Sequence, residues 1–280
     1  MTGADIGLEL ISLPARWSRR APPLLFIHGG FHGAWCWADH FMPWFANQGF
    51  SCHAVSLRDH GASLRTGRHN TWRLADYLDD VRWAVEQLDE RPILIGHSLG
   101  GTLAQKIVAE GSFPAMVLLA PSPIGGSNRA ALRMLLTHPR AMARAMGHGD
   151  MAQALPAFLS FLFSPDLPAP ERTRIVQRLD GLTAFGAAAD AFFRDPPRPA
   201  RTAMPTLVVS GQRDWSIPRY KNVRLARAYG GKHITVPTAH DVMGDSQWES
   251  AASDILAWLG SDGLAQCRVL GAEKMNGSGA

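Results

Sequence analysis

The chain has few cysteines, few lysines and no long apolar run, and each shortage narrows what it can be. Its three cysteines, Cys36, Cys52 and Cys267, cannot all pair and show no C-x-x-C spacing. Neither a disulfide framework nor a thiolate metal site is therefore expected, and a reduced, cytoplasmic setting is the simpler reading. No run of about 18 apolar residues is present, so no membrane span is expected. The first residues lack a basic stretch followed by an apolar core, so no secretory leader is expected. Only four of the 28 basic residues are lysines, and the 24 arginines are scattered, with no basic run of five or more. A nucleic-acid surface concentrates its positive charge on one face. The net charge of +4 therefore reads as solubility and surface pairing, with no nucleic-acid partner. The eleven histidines lack ligand spacing such as H-E-x-x-H, so no metal site is expected.

Apolar residues make up 46% of the 280 positions and charged ones only 19%, enough to build a sizeable core. Apolar, strand-like runs lie at Ile6 to Leu13, Leu24 to His28, Ser51 to Leu57, Pro92 to Ile95, Ala115 to Ala120, Thr206 to Ser210 and His233 to Val236. Helical spacing fills the gaps at Trp37 to Asn47, Thr71 to Leu88, Leu99 to Glu110, Pro218 to Tyr229 and Gln247 to Leu259. Alternation of this kind predicts an α/β fold with a mostly parallel, doubly wound sheet covered on both faces.

One segment breaks the alternation. From 123 to 201 no convincing strand is legible, and four helix-like stretches follow one another: Ala130 to Met146, Met151 to Phe163, Pro170 to Leu182 and Ala184 to Arg194. The expected organisation is a core of residues 1–122 and 202–260, a helical cap inserted at 123–201, and a loosely ordered tail at 261–280. The cap's apolar residues (Met134, Leu135, Met142, Met146, Phe158, Phe161 and Phe163) suit a lid over a hydrophobic substrate.

The chemistry is carried by Gly96-His97-Ser98-Leu99-Gly100-Gly101, set between a strand ending at Ile95 and a helix beginning at Leu99. Such a junction must turn sharply at Ser98, and glycines at 96 and 100 suit crowded backbones. This is the G-x-S-x-G nucleophile elbow, with the hydroxyl exposed at the positive end of a helix. A serine hydroxyl is a poor nucleophile until a base takes its proton, and the base needs an acid to orient it. Downstream, the strand from Thr206 to Ser210 runs into a loop bearing Asp214, and the strand from His233 to Val236 is followed by His240. Asp241 and Asp245 lie too close in sequence to His240 for that role and read as surface or capping carboxylates.

In this order of Ser98, Asp214 and His240 the chain resembles the α/β-hydrolase superfamily, over residues 20 to 260. His28-Gly29-Gly30 after an early strand, Gly211-Gln212-Arg213-Asp214 and Ala239-His240 also match. Leu57-Arg58-Asp59-His60-Gly61-Ala62-Ser63 looks like the family's D/R-x-x-G-x-S turn. The resemblance implies an oxyanion hole from the N–H groups of Gly30 and Leu99, with Phe31 the less favoured neighbour of Gly30. His28 would brace that loop. Phe31, His32, Trp35 and His97 are candidates for lining the pocket, with His97 pointing away from the serine into packing. The Trp35, Trp37 and Trp44 cluster reads mostly as core.

The resemblance implies a serine hydrolase of the esterase branch, acting without a cofactor on a small, hydrophobic ester or related acyl bond. A carbon–carbon bond hydrolase, a hydroxynitrile-lyase-like enzyme and a cofactor-free oxygenase share this scaffold and stay open, as does a non-catalytic ligand receptor. The intact His28-Gly29-Gly30 leans towards esterase over lyase. Dehalogenases and epoxide hydrolases carry Asp where Ser98 stands.

Overall fold

The computed structural model describes residues 7–17, 19–66, 72–122, 136–140, 143, 162–180, 185–199 and 204–263. Seven strands form one sheet: β1 (Glu9–Leu13), β2 (Leu24–Ile27), β3 (Cys52–Ser56), β4 (Ile93–His97), β5 (Met116–Leu119), β6 (Thr206–Gly211) and β7 (Lys232–Val236). Their spatial order is β1-β3-β2-β4-β5-β6-β7, with β1 antiparallel to β3 and every other pair parallel. All seven expected strands are present, within a few residues at their ends.

The sheet's two faces follow from the period-2 alternation of strand side chains. Along β2, Leu24 and Phe26 enter one core with Cys52, Ala54, Ile93, Ile95, Val117 and Leu207. Leu25 and Ile27 enter the other with Val55, Leu94, Met116, Leu118 and Val208. The first face is covered by α1 (Trp35–Ala38), α2 (Phe41–Asn47) and α8 (Trp248–Trp258), the second by α3 (Leu74–Glu86), α4 (Leu99–Ile107) and α7 (Arg219–Tyr229). The helices after β2 and after β4 thus lie on opposite faces. Their connecting loops diverge at the carboxyl ends of adjacent strands, the crevice where open α/β sheets bind ligands.

The helix expected from Trp37 to Asn47 is two helices, broken at Asp39 and His40. Pro43 explains the break: in one continuous helix its ring would press on the carbonyl of Asp39, four residues back. Restarting at Phe41 puts Pro43 in a first turn, where no N–H is needed. Trp37 is fully buried against Phe26, whereas Trp35 and Trp44 are half-buried at the core's edge. Cys36 and Cys52 are buried free thiols.

Of the segment from 123 to 201, α5 (Ala169–Val176) and α6 (Phe185–Ala189), the latter continuing into a π-helical turn at Asp190–Arg194, match the last two expected helices. Of the two earlier stretches only residues 136–140, 143, 162 and 163 are described, and the apolar residues named above for this segment lie outside the described residues except Phe163, which is buried. Leu259–Gly263 forms a π-helical turn after α8, and the rest of the expected tail is outside the described residues. Among the described residues, no helix is long and apolar enough to cross a membrane.

The loop after β3 is pinned from beneath. Arg58, 4% exposed, donates from Nε and Nη2 to Asp80 Oδ1 of α3 at 2.9 and 2.6 Å, and its own N–H donates to Asp80 Oδ2 at 2.8 Å. Removing one partner would strand a buried charge, so Asp80→Ala is expected to cost about 3–5 kcal/mol. Urea unfolding of the wild type and the variant measures that loss.

Candidate active site

Ser98 stands at the end of β4 with φ 50° and ψ −111°, a backbone conformation that side-chain-bearing residues seldom adopt. The turn is held by a hydrogen bond from Ser98 N–H to Leu119 O at 3.0 Å, and the first bond of α4 runs from Thr102 N–H to Ser98 O at 3.2 Å. Both flanking glycines are required by close approach. A Cβ on Gly96 would sit 2.4 Å from Gly100 O, and one on Gly100 would sit 2.2 Å from Ile27 O. The N–H of Leu99, first residue of α4, has no helical partner four residues back.

Around this turn the fold gathers residues from far along the chain. His240 Nε2 lies 3.1 Å from Ser98 Oγ, and His240 Nδ1 lies 2.8 Å from Asp214 Oδ2. With Nδ1 facing a carboxylate, that nitrogen carries the proton and Nε2 is left to accept from the serine. Asp214 is itself fixed: its Oδ1 accepts from Ser216 N–H at 2.8 Å, Ser216 Oγ at 2.5 Å and Ile217 N–H at 3.1 Å. Burial works to raise the Asp214 carboxyl, but His240 and these donors hold it below the ordinary carboxylate range. Burial likewise works to lower His240, and the charges of Asp214 and Asp241, with the Asp214 hydrogen bond, outweigh it and raise the imidazole above its usual value.

The loop after β2 is braced carbonyl by carbonyl. Leu57 N–H donates to His28 Nε2 at 3.0 Å, so His28 carries its proton on Nδ1 and donates to Gly29 O at 2.6 Å. Burial, with help from His60, keeps His28 neutral by pushing its pKa well down. In a trans peptide the C=O and the next N–H point in opposite directions. Holding Gly29 O therefore aims the Gly30 N–H away from His28. Gly30 O faces His60 Nε2 at 3.2 Å, and Phe31 O accepts from Asp180 N–H at 2.7 Å.

Of the four candidate lining residues, Phe31 and Trp35 are half-buried, whereas His32 and His97 are each 1% exposed and lie behind the serine and the base. His97 is more than packing. Its Nε2 donates to the backbone carbonyl of His240 at 2.9 Å, which ties the elbow to the loop that carries His240. Burial, then the neighbouring His240, pushes His97 down to about 3, so it stays neutral. Of the reading of Asp241 and Asp245 as surface or capping carboxylates, the surface part is corrected, since both are 1% exposed, whereas Asp245 Oδ1 does accept from Gln247 N–H at 3.2 Å at the entry to α8. Asp245 Oδ2 accepts from Ala239 N–H at 2.9 Å and Ser164 Oγ at 2.6 Å, tying the loop before His240 to the segment before α5. Asp241 faces His32 at 3.4 Å. Sequence reasoning missed His60, Asp180 and Ser216. Only Ser216 had a visible signal, an Asp-x-Ser turn after a strand. Among the described residues, no group of three or more His, Cys, Asp or Glu is placed to hold a metal ion.

The electrostatics of His240 can be tested without a substrate. Its imidazole, followed by NMR, is expected to titrate above 6.5 in the wild type. In Asp214→Asn, burial is then opposed by less negative charge, and the midpoint is expected to fall.

Comparison with known proteins agrees with this architecture. A hydrolase from Pseudomonas aeruginosa superposes with a TM-score of 0.69 at 22% identity, over 91% of this chain and 94% of that one. An esterase from Exiguobacterium antarcticum superposes with a TM-score of 0.71 at 15% identity, over 91% and 96%. At the sequence level, a protein named Methylesterase 9 from Arabidopsis thaliana is 30% identical over 98 residues, 34% of this chain. The matches span only 28% to 37% of the length of that protein and three further methylesterases of the same plant. The family model described as the alpha/beta hydrolase family matches residues 24–252. With strand order, elbow and the loops after β2, β6 and β7 all in place, this chain belongs to the alpha/beta hydrolase family.

Proposed function

We propose that the protein is a serine hydrolase that cleaves a carboxylic ester, or a related acyl bond, of a small hydrophobic substrate. The observation that carries this reading is the unbroken series Asp214–His240–Ser98, with spacings of 2.8 and 3.1 Å, delivered to a serine on a strained turn. Ser98 Oγ attacks the acyl carbon while its proton passes to His240 Nε2. The resulting imidazolium is stabilised by Asp214, and the tetrahedral oxyanion by the N–H groups of Leu99 and Gly30. His240 then returns the proton to the leaving alkoxide, and an acyl ester on Ser98 remains. Water, deprotonated by the same imidazole, attacks that ester; the acid leaves and Ser98 regains its proton. No step calls for a cofactor.

The short methylesterase matches favour an ester over a carbon–carbon bond or a cyanohydrin. The helical insertion at 123–201 is proposed as a cap over the serine. Its described part touches the site at two places, Asp180 N–H on Phe31 O and Leu162 O on Asp241 N–H. Its apolar composition supports a hydrophobic acyl or alcohol group.

A fluorophosphonate probe is expected to label the wild type and to leave Ser98→Ala unlabelled; robust labelling of that variant removes Ser98 from the mechanism. Asp214→Asn is expected to lower kcat by about 10⁴, as when such an acid can no longer hold its imidazole's tautomer. A loss below tenfold would assign the role to another carboxylate. On p-nitrophenyl esters of rising acyl length, turnover on at least one is expected. Silence on all of them with tight ligand binding would favour a receptor.

A further inference from the structure

Behind the serine and the base lies a second buried group of ionisable side chains that the steps above do not use. Asp241, next in sequence to the base, turns into the protein and is 1% exposed. Its Oδ2 lies 3.4 Å from His32 Nε2, an ion-pair distance without hydrogen-bond alignment. The His32 ring meets the His97 ring edge-on at 5.8 Å, and the His97 ring lies 5.0 Å from that of His240. His97 Nε2 donates to the His240 carbonyl at 2.9 Å. That bond fixes the His97 tautomer, so its Nδ1 is a bare acceptor, and it is buried without a partner among the described residues. It rests over Gly29, where a Cβ would come within 2.8 Å of it. One imidazole thus adjoins the serine covalently, the base through its backbone and the loop after β2 by contact.

A buried carboxylate without a full set of donors is costly, and Asp241 Oδ1 has no hydrogen-bond partner among the described residues. Its position does have an electrostatic consequence. The negative charge favours positive charge on any imidazole around it, and the imidazole that gains a proton in the proposed reaction is His240. We propose that Asp241 is a positioning residue for the base, which with His32 and His97 forms a buried acid–imidazole shelf that holds the His240 backbone and stabilises the imidazolium form of its ring. This rests on the reading of His240 as the base.

His240 is faced by Ser98 and His97 from the end of β4, by Asp214 and Ser216 from the loop after β6, and by Asp241 beside it. Asp241 is faced by His32 from the loop after β2, by His97, by His240 and by the Cys36 thiol of α1. Burial works to raise the Asp241 carboxyl, yet His32, His97 and His240 hold it below the ordinary range. Cys36 is pushed well up, by burial first and then by Asp241, so it stays a neutral thiol. Asp241 is therefore the second carboxylate acting on His240, after Asp214.

The test uses the full chain and two readouts. In the first, the His240 imidazole is titrated by NMR in the wild type and in Asp241→Asn. Loss of the negative charge is expected to lower the midpoint by about half a unit to one unit, less than a directly bonded carboxylate would. An unchanged or raised midpoint overturns the proposal. In the second, the rate of Ser98 labelling by a fluorophosphonate is compared in His97→Phe, which keeps a ring without a donor, and His97→Gln, which restores an N–H. The Phe variant is expected to label at least about tenfold more slowly, and the Gln variant to recover most of that loss, because small misplacements of a catalytic group are expensive. Equal rates in the two variants overturn the positioning role, and this arm decides the matter if Asp241→Asn does not fold. If wild-type Ser98 takes no label while the NMR midpoint still falls in Asp241→Asn, the hydrolase reading fails and the electrostatic role of Asp241 stands.

Discussion

The active geometry depends on a backbone contact. At Gly100 the start of α4 lies so close to the end of β2 that any side chain would strike the carbonyls of Ile27 and His28. That approach brings the loop after β2 beside the elbow, and the turn at Ser98 keeps its unusual backbone angles because β5 and α4 bond it on both sides. Strain of this kind persists only where the surroundings over-determine it. Here the surroundings are the central parallel strands β2, β4 and β5, fully buried on both faces. The sheet's core is thus the support for one serine.

Polar groups are buried around that serine to an unusual extent, and most are accounted for by the bonds they make. His28, His97 and His240 are all buried, and each has its proton placed by a neighbour: Leu57 N–H for His28, the His240 carbonyl for His97, and Asp214 for His240. Placing the protons also places the backbone. A carbonyl held by an imidazole directs the N–H on the other side of the same peptide, so histidines set apart from Ser98 still orient the backbone beside it. Asp241 and His32 are among the exceptions, a close pair without aligned hydrogen bonds, and their cost calls for a reason of another kind.

The described part of the inserted segment is joined to the loops around Ser98 and His240. Asp180 bonds Phe31 through its N–H, and its carboxylate accepts from Gly61 N–H at 2.9 Å and Arg65 at 2.6 Å. Leu162 and Ser164 bond the loop that carries His240. A displacement of this segment would therefore be felt by the loop after β2 and by the base loop together.

Much of this was legible in the residues themselves. Strand–helix alternation and the glycines around Ser98 express local rules, since a period of two, a period of 3.6 and a turn that admits no side chain are all written in neighbouring positions. Asp214 and His240 were legible because each follows an apolar strand, and parallel strands deliver their carboxyl ends to one edge. Pro43 marked a helix break that a reading by apolar spacing alone passed over. What the sequence could not express was which way a side chain at a loop turns once neighbours from distant segments arrive. Asp241 looks like a surface carboxylate beside His240 until the loop after β2 and the end of β4 are packed against it. His97 looks like a spacer before the serine until the His240 carbonyl, 143 positions away, meets its ring. The chemistry of Ser98 was set by short-range pattern, whereas the company that His240 keeps was decided by tertiary packing, because burial and long-range contact have no local signature.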